Sequence, residues 1–374
     1  MDIVELLKRD IQAEDFFFNS YSGANERENL RKIVNEFLGC KDERHRETLS
    51  VIITNYVLLP HAKGAEIAPL MDILNMFELF ENYEYDKNRK HMVHQLNTFL
   101  VGLLLYKNVG KLRKLIDQEM RNTTDCYSSG DPKGEFLFRW RLCSLCHDLG
   151  NGISLFGNDK EKIDKYLFYL RLLTNEEWDS EAEGIEKLLP LDRRLNSLGV
   201  LASVGKDPRL TVFFEELKEN PYKNIYYDHG IASALILLKV LDQIYEKLDG
   251  KTVYYKGHNV SFNRIYFDKS IAGSAYAIAV HNVDFYPELY ERIWGKGKIF
   301  DVRKHPLVFL LKLSDLLQEW YKPKAADESD SVEPRDIELD FRPGRIRVVR
   351  YPKKEELAEK ISRFFNHENM IEIM

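Results

Sequence analysis

Apolar residues recur at three-to-four spacing along most of this 374-residue chain. That spacing commits it to a helical body. Residues 26–38 place Leu30, Ile33, Val34, Phe37 and Leu38 on one helical face, and residues 3–14, 47–59 and 67–80 read as further helices. Residues 81–89 are polar and read as a connection. Residues 90–106 follow as a long buried helix with Val93, Phe99, Leu100, Leu103 and Leu104 on its apolar side. Residues 117–133 carry Asn122, Thr123, Ser128, Ser129, Gly130, Asp131 and Pro132, which is loop chemistry. A helix over 136–149 is expected to stop at Gly150-Asn151-Gly152. Two more helices are expected over 159–173 and 176–189. Further ones are expected over 228–248, with Asp228 as N-cap, over 269–281, and over 306–320, with Pro306 at the first helical position.

The texture changes after residue 320. Residues 322–335 hold prolines and the acidic run Asp327-Glu328-Ser329-Asp330, and read as an exposed linker. Ile337-Glu338-Leu339-Asp340-Phe341 alternates apolar and polar, Arg342-Pro343-Gly344 turns, and Ile346, Val348 and Tyr351 alternate again, so a β-hairpin is expected. A helix over 353–365 closes the chain. The expected fold is mainly α: a helical bundle with an N-terminal helical extension and a small C-terminal β-hairpin plus helix. The expected division is 1–85, 86–321 and 322–374.

Charge and apolar runs exclude several functions. Lys and Arg total 54 against 60 Asp and Glu, a net charge of −6, so there is no basic excess for wrapping extended nucleic acid. The longest apolar stretches, 99–106 and 230–238, fall far short of the roughly 20 residues of a membrane span. The start, Met1-Asp2-Ile3-Val4-Glu5, is acidic where a signal peptide is basic, and a cytoplasmic protein is expected. Cys40, Cys126, Cys143 and Cys146 suggest no disulfide framework. Cys143-Ser144-Leu145-Cys146-His147 matches the letters of a haem attachment motif, but without an export signal these read as ordinary buried thiols.

Of the ten histidines, His94, His147, His229 and His281 stand in apolar helical text. His147 is followed directly by Asp148, and Asp315 is embedded in Leu310-Leu311-Lys312-Leu313-Ser314-Asp315-Leu316-Leu317. A buried carboxylate is costly without a cation or metal beside it. No local metal motif spans separations this long, but helices that each lend one or two side chains to a common centre do. Four imidazoles and two carboxylates suit a pair of divalent transition ions. Adjacent His147 and Asp148 point about 100° apart on a helix, so both reach one ion only over the edge between them. A single buried histidine is more often a satisfied core residue, and His91 competes with His94 from one turn away. His45, His61, His258, His305 and His367 lie in polar text and read as solvated.

The order His94, His147-Asp148, His229, His281, Asp315 resembles the HD-domain superfamily of metal-dependent phosphohydrolases, in its two-metal form. Lys90-His91-Met92-Val93-His94-Gln95 precedes an apolar helix as the first ligand does there, and Cys146-His147-Asp148-Leu149-Gly150-Asn151 looks like the HD-x-G segment. Asp228-His229-Gly230 opens a helix, and Leu313 to Trp320 resembles the last-ligand helix. The resemblance covers residues 90–320 and makes 86–321 the HD domain. It implies that His94, His147, Asp148 and Asp315 hold one ion and that His229 and His281 hold a second, with Asp148 bridging. The implied cofactor is one or two divalent ions among Mn, Fe, Mg, Co, Ni and Zn. The implied reaction is hydrolysis of a nucleotide or other small phosphate ester by an activated water, with Asp148 and Lys312 as catalytic residues. Lys312 lies one turn before Asp315 and is the expected phosphate contact. Asn151, Asn282 and Gln318 are expected to orient ligands. A homo-oligomer is compatible with this reading.

Two rivals share the pattern. The same ligand set resembles di-iron oxygenases related to inositol oxygenase, and a third reading is a non-catalytic nucleotide-binding module. Tyr222, Tyr226 and Tyr227 before His229 suit ordinary packing better than a base-stacking pocket. Arg345, Arg347 and Arg350 read as a solvated hairpin face rather than an anion contact.

Overall fold

The computed structural model describes residues 1–13, 24–58, 91–124, 131–151, 161, 197–219, 228–255, 258–282, 287–295, 300–318, 336–367 and 369–374. The protein is mainly helical with a small sheet near its C-terminus. In chain order its helices begin with α1 (Ile3–Ile11), α2 (Ala24–Gly39), α3 (Glu43–Leu58), α4 (His91–Asn108), α5 (Gly110–Thr124) and α6 (Pro132–Cys146). They continue with α7 (Ser197–Gly205), α8 (Pro208–Glu219), α9 (His229–Leu248), α10 (Ala272–Val280), α11 (Pro287–Trp294), α12 (Pro306–Leu317) and α13 (Lys354–Phe364). The strands are β1 (Thr252–Tyr255), β2 (His258–Ser261), β3 (Phe300–Asp301), β4 (Glu338–Arg342), β5 (Arg345–Arg350), β6 (Phe365–Asn366) and β7 (Ile371–Ile373). The helices expected over 67–80, over 176–189 and, residue 161 apart, over 159–173 lie outside the described residues. So do the connection 81–89, the three tyrosines before His229 and the linker 322–335.

The chain forms two compact units. Unit 1 draws on Met1–Gly64, Lys87–Leu145 and Lys298–Met374, and unit 2 on Ala65–Asp86 and Cys146–Gly297. This grouping cuts across the three-part division expected from the sequence.

Unit 1 is organised around α4 and α12. Both are apolar almost all round and almost wholly buried, as helices in the middle of a layered body must be. Trp140 of α6 donates its indole N–H to the Phe99 carbonyl of α4 at 3.0 Å, and Tyr106 of α4 stacks on Phe136 of α6 with ring centres 3.9 Å apart. Burial, then the hydrogen bond to Asp117 at 2.5 Å, pushes the Tyr106 phenol up and keeps it protonated. The expected loop over 117–133 is corrected at both ends: α5 runs on to Thr124 and α6 starts at Pro132. Leu112, Ile116 and Met120 recur at four-residue spacing and bury one face of α5, so its polar letters are only the outer face.

The predicted hairpin is β4–β5, antiparallel, with Leu339 opposite Val348 and Phe341 opposite Ile346. Both its edges are occupied. On one, β7 adds in parallel to β5, Ile346 pairing with Ile371. On the other, the Ile3 amide donates to the Ile337 carbonyl at 3.0 Å and the Leu339 amide to the Met1 carbonyl at 3.2 Å. Asp2 then caps α1 by accepting from the Glu5 amide at 2.8 Å. Tyr351 fastens the hairpin to α12, its hydroxyl donating to the Leu316 carbonyl at 2.6 Å.

Unit 2 is built on the packing of α9 against α10. Asp228 is the N-cap of α9, as expected, and accepts from the Ile231 amide at 3.0 Å. After α9 the chain forms the β1–β2 hairpin, unforeseen in the sequence. It then passes through a wide turn over Phe267–Ile271, in which the Ala272 amide reaches back to the Phe267 carbonyl. Such a five-residue step is rare inside helices, and here it leads directly into α10. No helix among the described residues is long and apolar enough to cross a membrane.

Candidate metal centre

Unit 2 gathers four of the predicted ligands. His147 and Asp148 lie in the turns after Cys146, held where the Leu149 amide donates to the Cys146 carbonyl at 3.3 Å and the Asn151 amide to the Asp148 carbonyl at 3.0 Å. His229 is the first residue of α9, and His281 is the C-cap of α10. The His281 ring meets the His147 ring and the His229 ring edge-on, with centres 5.2 Å away in each case. His147, Asp148 and His281 are all buried, and one donor atom from each lies within 4.8 Å of the other two.

Asp148 divides its carboxylate between two imidazoles. Its Oδ2 is 3.6 Å from His147 Nε2, and its Oδ1 is 3.4 Å from His229 Nε2. Both separations are too long for good hydrogen bonds. They suit donors to a common cation: two atoms each about 2.1 Å from an ion, at a tetrahedral angle, stand about 3.4 Å apart. The donor set therefore fits a divalent transition ion. His281 Nδ1 donates to the Ile278 carbonyl at 2.6 Å, so the proton sits on Nδ1 and Nε2 presents its lone pair. The Asn282 amide nitrogen lies 2.8 Å from His229 Nδ1 and 2.5 Å from Nε2. An amide offers both a donor and an acceptor and so can hold that ring in either tautomer. His147 is 1% exposed and His229 19%, so the cluster is reached from the His229 side.

Two glycines make this proximity sterically allowed. A Cβ on Gly230 would stand 2.8 Å from the Ile278 carbonyl oxygen and 2.9 Å from His281 Nδ1. Only glycine lets the start of α9 come that close to the end of α10. A Cβ on Gly150 would stand 2.6 Å from both the His229 carbonyl oxygen and the Ser233 amide. The Gly150 amide donates to Ser233 Oγ at 2.7 Å, which fixes the His147–Asp148 turn on α9. Sequence reasoning took Gly150 for a helix stop and did not single out Ser233. A lone serine in an apolar helix carries no signal of its partner.

Unit 1 holds the other two predicted ligands side by side. His94, in the first turns of α4, places Nε2 3.3 Å from Asp315 Oδ1 on α12. The Gln318 amide lies against His94 Nδ1 and also donates to the Asp315 carbonyl at 3.1 Å. Of the two competing histidines, His94 is thus the one that meets the acid. Lys312 is buried at 3% exposure, one turn before Asp315. Asn151 is buried in the turn that carries Asp148. His45 is exposed as expected and lies 2.8 Å from Glu36, whereas His305 precedes α12 with its ring edge-on to Phe300. Cys143 and Cys146 are buried thiols.

Compared with known proteins, the chain matches no family model, no curated protein and no solved structure at a significant level.

Proposed function

We propose that the chain is an HD-type, metal-dependent phosphohydrolase that acts on a nucleotide or another small phosphate ester in the cytoplasm. The observation that carries this reading is the Asp148 carboxylate, whose two oxygens face different imidazoles at the separation of donors to a common cation. The order of ligands along the sequence supports it and adds His94 and Asp315 to the metal-binding residues. When bound, divalent ions supply an activated water and neutralise phosphoryl oxygens.

The chain's own residues then have distinct tasks. Asp148 spreads its negative charge over both of its oxygens. His281 is held in one tautomer by the Ile278 carbonyl, and His229 is kept in place by Asn282. Lys312 is assigned the phosphate contact, where a point charge offsets the charge of the leaving oxygen.

The test is metal analysis of the purified chain together with hydrolysis assays on a panel of phosphomonoesters and phosphodiesters. His147→Ala and Asp148→Ala are each expected to cut turnover by more than about 100-fold, beyond what residues that merely orient a ligand contribute. A protein that holds no metal after supplementation, with both variants as active as the wild type, would refute the reading. Turnover that consumes dioxygen on an iron-loaded protein would replace it with the oxygenase reading.

A further inference from the structure

Two arginines stand two positions apart on α6, and the fold treats them in opposite ways. Arg139 is buried with two carboxylates: its Nε donates to Glu135 at 2.8 Å and its Nη1 to Glu119 at 3.2 Å. Arg141 is buried as deeply, at 2% exposure, yet among the described residues neither its Nε nor its Nη1 has a hydrogen-bond partner. Nε carries one N–H and Nη1 two, so most of the guanidinium's five donors face no protein acceptor. Burial alone pushes this group down to about 10. Its proton therefore leaves only in alkaline solution, and through the physiological range the interior holds a full positive charge. An isolated buried cation is among the most costly features a fold can carry.

A second polar group in the same unit is in a like position. Helices α4 and α6 meet along Phe99 and Tyr106. Gln95 lies one turn before Phe99, on the same face. It is fully buried, and neither atom of its amide has a hydrogen-bond partner among the described residues. A cation and a neutral amide on this helix pair thus both keep polar atoms without a hydrogen-bond partner among the described residues.

We propose that Arg141 anchors a buried site in unit 1 for a small oxyanion. Donors on more than one edge of the guanidinium suit an ion with several acceptor oxygens, phosphate or carboxylate, better than a halide. Anion binding by Arg141 does not require the proposed metal ions.

The experiment is thermal denaturation of the full chain in chloride, acetate and inorganic phosphate at matched ionic strength, for the wild type and for Arg141→Met. Phosphate or acetate is expected to raise the wild-type Tm over chloride by about 3 °C at a hundred times its dissociation constant. Whichever of the two acts identifies the oxyanion as phosphate or carboxylate. Arg141→Met is expected to lose that response and, in chloride, to melt no lower than the wild type, because it removes a charge that lacked a partner. Repeating the series with Asp148→Asn separates this site from anion bound at a metal, and the Arg141-dependent shift is expected to persist. If Arg141→Met does not fold, Arg141→Lys takes its place and is expected to weaken the response several-fold. Equal responses to all three salts, or a response that the Arg141 variants leave unchanged, overturn the proposal.

Discussion

Asn282 offers a way to disturb the unit 2 cluster without removing any donor. Its amide lies against the His229 ring, and residues in that role typically contribute 10–100-fold to metal affinity. Asn282→Ala is expected to weaken metal binding by about that factor with little change in Tm, and Asn282→Gln to recover part of the loss; metal titration by calorimetry measures both. Unchanged affinity in Asn282→Ala would mean that the ring needs no such support. At this scale much of the site was legible. His147 and Asp148 are adjacent, and imidazoles and carboxylates in apolar text are conspicuous because burial makes them costly. Arg141 was not legible. It sits in Arg139-Trp140-Arg141, where nothing in the sequence tells the paired arginine from the unpaired one.

At the scale of elements, the approach of α9 to α10 sets the spacing of His229 and His281. Gly230→Ala places a methyl group against a backbone carbonyl and an imidazole, and overpacking of this kind costs about 1–3 kcal/mol. The expected outcome is a lower Tm, seen by circular dichroism, together with weakened metal binding. Full stability with full affinity would show that the helices part without consequence. The long apolar helices, the Asp228 cap, the proline at the start of α12 and the C-terminal hairpin were all readable, because periodicity and capping are local signals. Three features were not. The polar outer face of α5 imitates a loop, β1–β2 carries no turn motif of the strongest type, and β7 acquires its place only by pairing with a strand distant in sequence.

At the scale of the whole molecule, unit 1 is assembled from three stretches of chain that unit 2 interrupts. Its sheet joins residues from the two extremes of the sequence, as in the pairing of Ile3 with Ile337. Sequence periodicity says nothing about such distant partners, so the expected division at residues 85 and 321 followed the order of the text instead.

That sheet also sets an order in time. A ribosome releases α1 long before β4, so the backbone groups of α1 at Met1 and Ile3 must wait for their partners. The α9–α10 pair of unit 2 is complete far earlier. Contacts this distant in sequence form slowly, because closing the intervening chain costs entropy before any contact rewards it. In refolding followed by pulsed hydrogen exchange and mass spectrometry, the amides of α9 and α10 are expected to gain protection before those of α1 and β4. Simultaneous protection would show the two units to be a single kinetic step. On this schedule the chain brings His229 and His281 together first, and α1, made well before them, settles after them.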